Sequence, residues 1–136
     1  MGECNYAYRK HLSGGGINAK YTPAKKIDIG NAYMILLYGV QPTKGSDGRV
    51  ATDDISEQTK QVLGEISQIL TAAGAGLDDV VKTVIYLTDM NDMATVSDIR
   101  AEYFKHSMPV STVVEVNRMT RGGTKIEIEV TAIKQK

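Results

Sequence analysis

The sequence predicts an α+β fold, a single mixed sheet of about five or six strands with two helices on one face. Two stretches, near 55–73 and 93–103, place apolar residues every three to four positions, as amphipathic helices do. Other apolar runs are short and rich in β-branched and aromatic residues, which suit a pleated, half-buried surface. Along the body the order is strand, helix, strand, helix, strand, strand, so two helices can cover only one face of the sheet.

Residues 13–26, SGGGINAKYTPAKK, combine glycines, a proline and lysines without apolar period and read as a surface loop. They would join an N-terminal strand to a body beginning near Ile27. Segment 31–38, NAYMILLY, is apolar on both parities, which predicts a central strand covered on both faces. Gly39 ends it, where a sharp turn or a close approach to a ligand would exclude a side chain.

KGSDGR at 44–49 is a turn by composition, and Thr52-Asp53-Asp54 supplies an N-cap with acidic residues in the first turn. Ile55, Thr59, Val62, Leu63, Ile66, Ile69, Leu70 and Ala73 then form one stripe of a long helix, with Gly74 placed to close it. A second strand spans 80–87. The cluster 89–92, DMND, stops it and caps a helix carrying Met93, Val96, Ile99 and Tyr103. Strands at 110–116 and 125–133 complete the chain, joined by a turn containing Arg121-Gly122-Gly123. In the last, Ile126, Ile128 and Val130 oppose Lys125, Glu127, Glu129 and Thr131, and the uncovered face of the sheet asks for a partner.

At 136 residues with 42% apolar content, the chain is read as one domain, 1–136, with 1–26 preceding its body. Sixteen basic and sixteen acidic residues leave no net charge, so the general field that recruits nucleic acid or an anionic membrane is missing. No apolar run reaches a membrane span, and the start has no signal-peptide core. A lone cysteine, Cys4, excludes an internal disulfide and suits a reducing, cytoplasmic setting. The glycines at 14–16 fit a dinucleotide fingerprint only loosely, since no buried strand precedes them and Pro23 blocks a following helix. Glu102 and His106 share a helical turn but lack a third metal ligand, so neither metal nor cofactor is expected.

The segments DIGN, YGVQP, EQTKQVLGEISQIL, DVVKTVIYLTDMND, MPVSTVVEV and KIEIEV, spread over about 27–133, together resemble the Rid family. This family, also called YjgF or L-PSP, comprises small trimers that hydrolyse reactive imines and enamines. The resemblance implies a homotrimer whose sheets form a barrel, a ligand cleft at each subunit boundary, and a small-molecule substrate. It implies that Glu127 holds the attacking water, that Gly39 borders the ligand, and that Tyr21 contributes to the cleft. Glu129 has no comparable family role.

Several positions depart from the family pattern. Where the deaminase branch carries an arginine that grips a substrate carboxylate, this chain has Ser111, followed by Thr112. A hydroxyl cannot make two parallel hydrogen bonds to a carboxylate, and losing one partner of such a pair costs about 2–5 kcal/mol. Either the ligand lacks that carboxylate, or Arg49, Arg118, Arg121 or a lysine of 13–26 supplies the grip. Tyr38 stands where relatives usually have serine, Val40 replaces glutamine, and Ser97 replaces asparagine. Ser111, Thr112, Gly39, Tyr21 and Tyr38 are thus the expected substrate-binding residues, and Glu127 the catalytic one. The sequence supports an imine or enamine hydrolase of altered specificity, or a non-catalytic metabolite-binding trimer of the same fold. Ribonuclease or translation-inhibitor activity, attached to the family by name, gains little from a neutral chain without clustered basic and aromatic residues.

Overall fold

The computed structural model describes residues 21–136. Five strands and two helices follow one another as β1 (Ala24–Asp28), β2 (Ala32–Leu37), α1 (Ile55–Ala72), β3 (Val80–Leu87), α2 (Met93–Tyr103), β4 (Val110–Glu115) and β5 (Ile126–Gln135). The strands form one mixed sheet in the order β1-β2-β5-β3-β4. Every pairing is antiparallel except β3 with β4, whose parallel alignment requires a crossover, supplied by α2.

The helices share one face because β5 turns its buried apolar set, Ile126, Ile128 and Val130, that way. The α1 stripe places Val62, Leu63, Ile66, Ile69 and Leu70 out of solvent against Ile35, Ile85, Leu87, Ile126 and Ile128. The Asp54 side chain caps α1 by accepting from the Glu57 amide, and Gly74, in the left-handed region at φ 82°, follows its last turn. From α2 only Val96 is fully buried, with Phe104 just beyond its end, so this helix lies at the margin of the core. On β5 the expected alternation is complete, with Ile126, Ile128 and Val130 buried and Glu127, Glu129 and Thr131 half-buried on the other side.

That other face is open. Leu36, Val110 and Val114 are exposed there, opposite Thr131, Lys82 and Tyr86 respectively in the ladder. Segment 31–38 therefore lies inside the sheet as expected, with β1 and β5 beside it, but it is covered on one face only in the single chain.

The loop expected over 13–26 ends earlier than its composition suggests, because β1 begins at Ala24. Two lysines hide the strand pattern, yet Lys is a common guard on an edge strand, and the Lys26 ammonium lies 4.3 Å from the centre of the Tyr33 ring. Residues 13–20 and the expected N-terminal strand lie outside the described residues.

One buried polar side chain connects this framework to the loop after β4. Gln58, on α1 and fully buried, donates to the carbonyls of Thr52 and Gly123 and accepts from the Lys125 amide. A buried amide meeting three backbone groups fixes the chain leading into β5, and removing it orphans groups that cost about 1–3 kcal/mol each. Gln58→Met, similar in volume, should lower the unfolding free energy by roughly 3 kcal/mol in urea titration.

Candidate active site

Glu127 projects from β5 onto the open face, and two local features hold it. The first is a slip in the ladder between β2 and β5. Leu36 pairs with Thr131, but the bridge between Val40 and Ile128 falls one residue out of step, so the chain reverses its facing between them. Tyr38 is left exposed, Val40 is buried in the core, and Gly39 lies against the Glu127 side chain. A Cβ on Gly39 would overlap the carboxylate, so a side chain there would push Glu127 out of this position.

The second feature is Gln41. Its Nε2 donates to Glu127 Oε1 at 2.6 Å and to Thr120 Oγ1 at 2.7 Å, while its Oε1 accepts from the Arg121 amide at 3.1 Å. The amide N–H of Arg121 can only donate, which sets the orientation of the Gln41 side chain and turns its NH₂ group to the carboxylate. Tyr86 lies opposite Glu127 on β3, and its hydroxyl donates to the neighbouring Glu129 Oε1 at 2.7 Å. That hydrogen bond, followed by burial and the charges of Glu129 and Glu127, pushes the Tyr86 hydroxyl above the usual tyrosine range.

A cleft of about 840 Å³ opens beside Glu127 and Gln41, lined also by Arg49, Arg118, Arg121 and the backbone of 119–124. The structure thus brings the expected catalytic glutamate together with three arginines named as candidate cations. Arg121 is engaged from behind: its guanidinium donates to the Pro42 carbonyl and faces Glu65 and Tyr38. Tyr38 does not line the cleft but belongs to this cluster, where burial, then the Glu65 charge, raises its pKa against the opposing effect of Arg121.

Ser111 and Thr112 lie elsewhere. Ser111 pairs with Thr83 on the helix side of β4 and accepts a hydrogen bond from the Thr83 hydroxyl at 2.8 Å. The cation nearest in that network is Arg100 of α2, whose Nη2 donates to Thr83 Oγ1 at 3.4 Å, with Nε buried and without a partner. Burial lowers the pKa of this guanidinium. Tyr21 is 77% exposed and outside the cleft. Sequence reasoning missed Gln41, Arg100 and Tyr86 because each acts through a long-range contact. Only the YGVQP motif, which contains Gln41, offered a signal.

With this geometry in view, the chain can be compared with known proteins. The family model described as Endoribonuclease L-PSP matches residues 17–134. A RutC family protein of Pyrococcus horikoshii is 41% identical over 112 residues, covering 82% of this chain and 86% of that protein. The human 2-iminobutanoate/2-iminopropanoate deaminase is 35% identical over 118 residues, covering 87% of this chain and 82% of its own. The crystal structure of a YjgF/YER057c/UK114 family member from Mycobacterium tuberculosis superposes with a TM-score of 0.72 at 33% identity, covering 88% of this chain and 93% of that one. The chain belongs to the L-PSP family, also known as YjgF or Rid. Among the described residues no helix is long and apolar enough to cross a membrane, and no group of three His, Cys, Asp or Glu side chains comes together to hold a metal ion.

Glu65 offers a pH test of the cluster behind the cleft. Burial raises its carboxyl pKa above the unfolded value, and Arg121 opposes the shift only in part. Its contribution to stability is therefore full below the ordinary glutamate pKa and is lost as the pH rises through the raised value. Glu65→Gln should raise the melting temperature at pH 7, and the gain should shrink toward zero by about pH 4, as scanning calorimetry at the two pH values would record.

Proposed function

We propose that this chain hydrolyses imines and enamines to carbonyl compounds and ammonia, acting as a cytoplasmic homotrimer of one domain per subunit. The observation that carries this reading is the Glu127 carboxylate, oriented by Gln41 and seated on the bare backbone of Gly39 in an arginine-lined cleft. The deaminase relatives act, by their names, on 2-iminobutanoate and 2-iminopropanoate, and the resemblance of KIEIEV to the family motif supports the same role for Glu127.

An enamine first tautomerises to its imine. A water hydrogen-bonded to Glu127 then attacks the C=N carbon, and as the O–C bond forms the carboxylate takes the water's proton. The carboxylate returns that proton to the nitrogen, which also takes the proton of the new hydroxyl, and the C–N bond breaks with its electron pair leaving on ammonia as the carbonyl forms. Gln41 leaves one carboxylate oxygen for the water by occupying the other. This chemistry needs no cofactor. The open sheet face, with Leu36, Val110 and Val114 exposed, is the surface that further copies would cover.

A second reading rests on Ser111. Its hydroxyl already bonds Thr83, and the carboxylate grip implied for that position is missing, which favours a trimer that binds a metabolite without turning it over. The two readings separate by rate. With imines generated in situ by an amino-acid oxidase, the protein should accelerate carbonyl formation, and Glu127→Gln should reduce the gain by about 100-fold or more. A variant as fast as the native chain would remove Glu127 from the mechanism, and no acceleration by the native chain would favour the binding module.

A further inference from the structure

Gly122 is a glycine without a backbone reason. Its neighbour Gly123 has φ 83°, but Gly122 is not in the left-handed region. A Cβ on Gly122 would lie 2.7 Å from Arg49 Nη1 and 3.2 Å from its Cζ, so a side chain there would displace the guanidinium. The guanidinium is therefore seated against bare backbone at the wall of the cleft.

Its seat is anchored at both ends. The turn carrying Arg49 is closed by the bridge between Lys44 and Val50, by the Gly45 amide donating to the Arg49 carbonyl, and by the Arg49 amide donating to Asp47 Oδ1. The turn is then pinned to the opposite wall, where the Val50 amide donates to the Gly122 carbonyl at 3.0 Å. Among the described residues no carboxylate lies within ion-pair distance of Arg49, and its guanidinium makes no hydrogen bond. Arg121, by contrast, is committed to Pro42. Arg49 and Arg118 are thus the two guanidinium groups of the cleft without a hydrogen-bond or ion-pair partner among the described residues, set against the single carboxylate of Glu127. Thr124, 5% exposed, lines it too with a hydroxyl that has no partner.

We infer that Arg49, with Arg118 beside it, is the specificity-determining cation of this cleft and selects substrates bearing two acidic groups, such as the imines of dicarboxylic amino acids. The inference rests on the imine-hydrolase reading and names its substrate class. A planar guanidinium held open and unneutralised is suited to a carboxylate in two-point contact. Two unpaired guanidinium groups offer one partner to each carboxylate of a dianion, with the C=N carbon at Glu127 and the distal carboxylate at Arg49.

The test compares imines released in situ by oxidation of an acidic and of a neutral-side-chain amino acid. The native protein should favour the dicarboxylate imine in kcat/KM. Arg49→Gln should lower the ratio of the two kcat/KM values about tenfold, chiefly through KM, and Arg49→Lys should recover part of it. Gly122→Ala, whose methyl group would displace the guanidinium while leaving its charge, should reproduce most of the loss. A ratio unchanged by Arg49→Gln overturns the inference even where Glu127→Gln abolishes turnover. A separate readout needs no catalysis: calorimetric binding of 2-oxoglutarate, the product-like dicarboxylate, to Glu127→Gln protein should weaken about tenfold on adding Arg49→Gln, and equal affinity overturns the inference.

Discussion

The sheet is organised by β5, the last strand in the chain and the middle strand in space. Its neighbours are β2, from the beginning of the described chain, and β3, from its centre, so each half of the sheet is joined to the other only through this strand. Because side chains alternate across a strand, one sequence, IEIEV, must satisfy two environments at once. Ile126, Ile128 and Val130 close the core beneath α1, and that burial leaves Glu127 and Glu129 no choice but the opposite face. A slip of one residue would exchange the two sets, placing carboxylates in the core and isoleucines in the cleft. The position of the candidate catalytic acid is thus fixed by the packing of its neighbours.

A side chain fixed in position is not yet fixed in orientation, and the structure supplies that from the segment after β2. The one-residue slip between the Leu36 and Val40 pairings turns Val40 into the core, leaves Gly39 against Glu127 and directs Gln41 to the carboxylate. The same amide holds the loop at Thr120 and Arg121, and Gln58 holds that loop two residues further on, from the N-terminal part of α1. The cleft is therefore built by loops whose backbone groups are fastened to fully or partly buried amides. Arg49 and Arg118 are carried on backbone already fastened in this way, so less of the chain has to be ordered when a ligand binds.

The separation of charge in the molecule follows the same economy of space. Arg121 lies between the cleft and the Glu65–Tyr38 pair and is held by the Pro42 carbonyl, so its charge serves the cluster behind the wall. Arg100 serves the Thr83–Ser111 pair on the other side of the sheet. Arg49 has neither kind of partner among the described residues, which is why its seat against Gly122 points toward a ligand and not toward the protein.

Periodicity and the density of β-branched and apolar residues determined the α+β class, both helices, four of the five strands and the inward set of β5, because these are local properties of the chain. The family resemblance added Glu127, Gly39 and Tyr21 as separate expectations. The start of β1 at Ala24 was hidden by two lysines, whose solvated ends mask a strand on a sheet edge. Only the tertiary structure decided that Gln41 joins Glu127 to Thr120 and Arg121, and that Arg49 shares the cleft. These contacts join residues about 80 positions apart, and Gln41 to Glu127 spans 86. Spacing carries no record of such pairs, because the register of β5 against β2 and β3 brings them together only when the core closes.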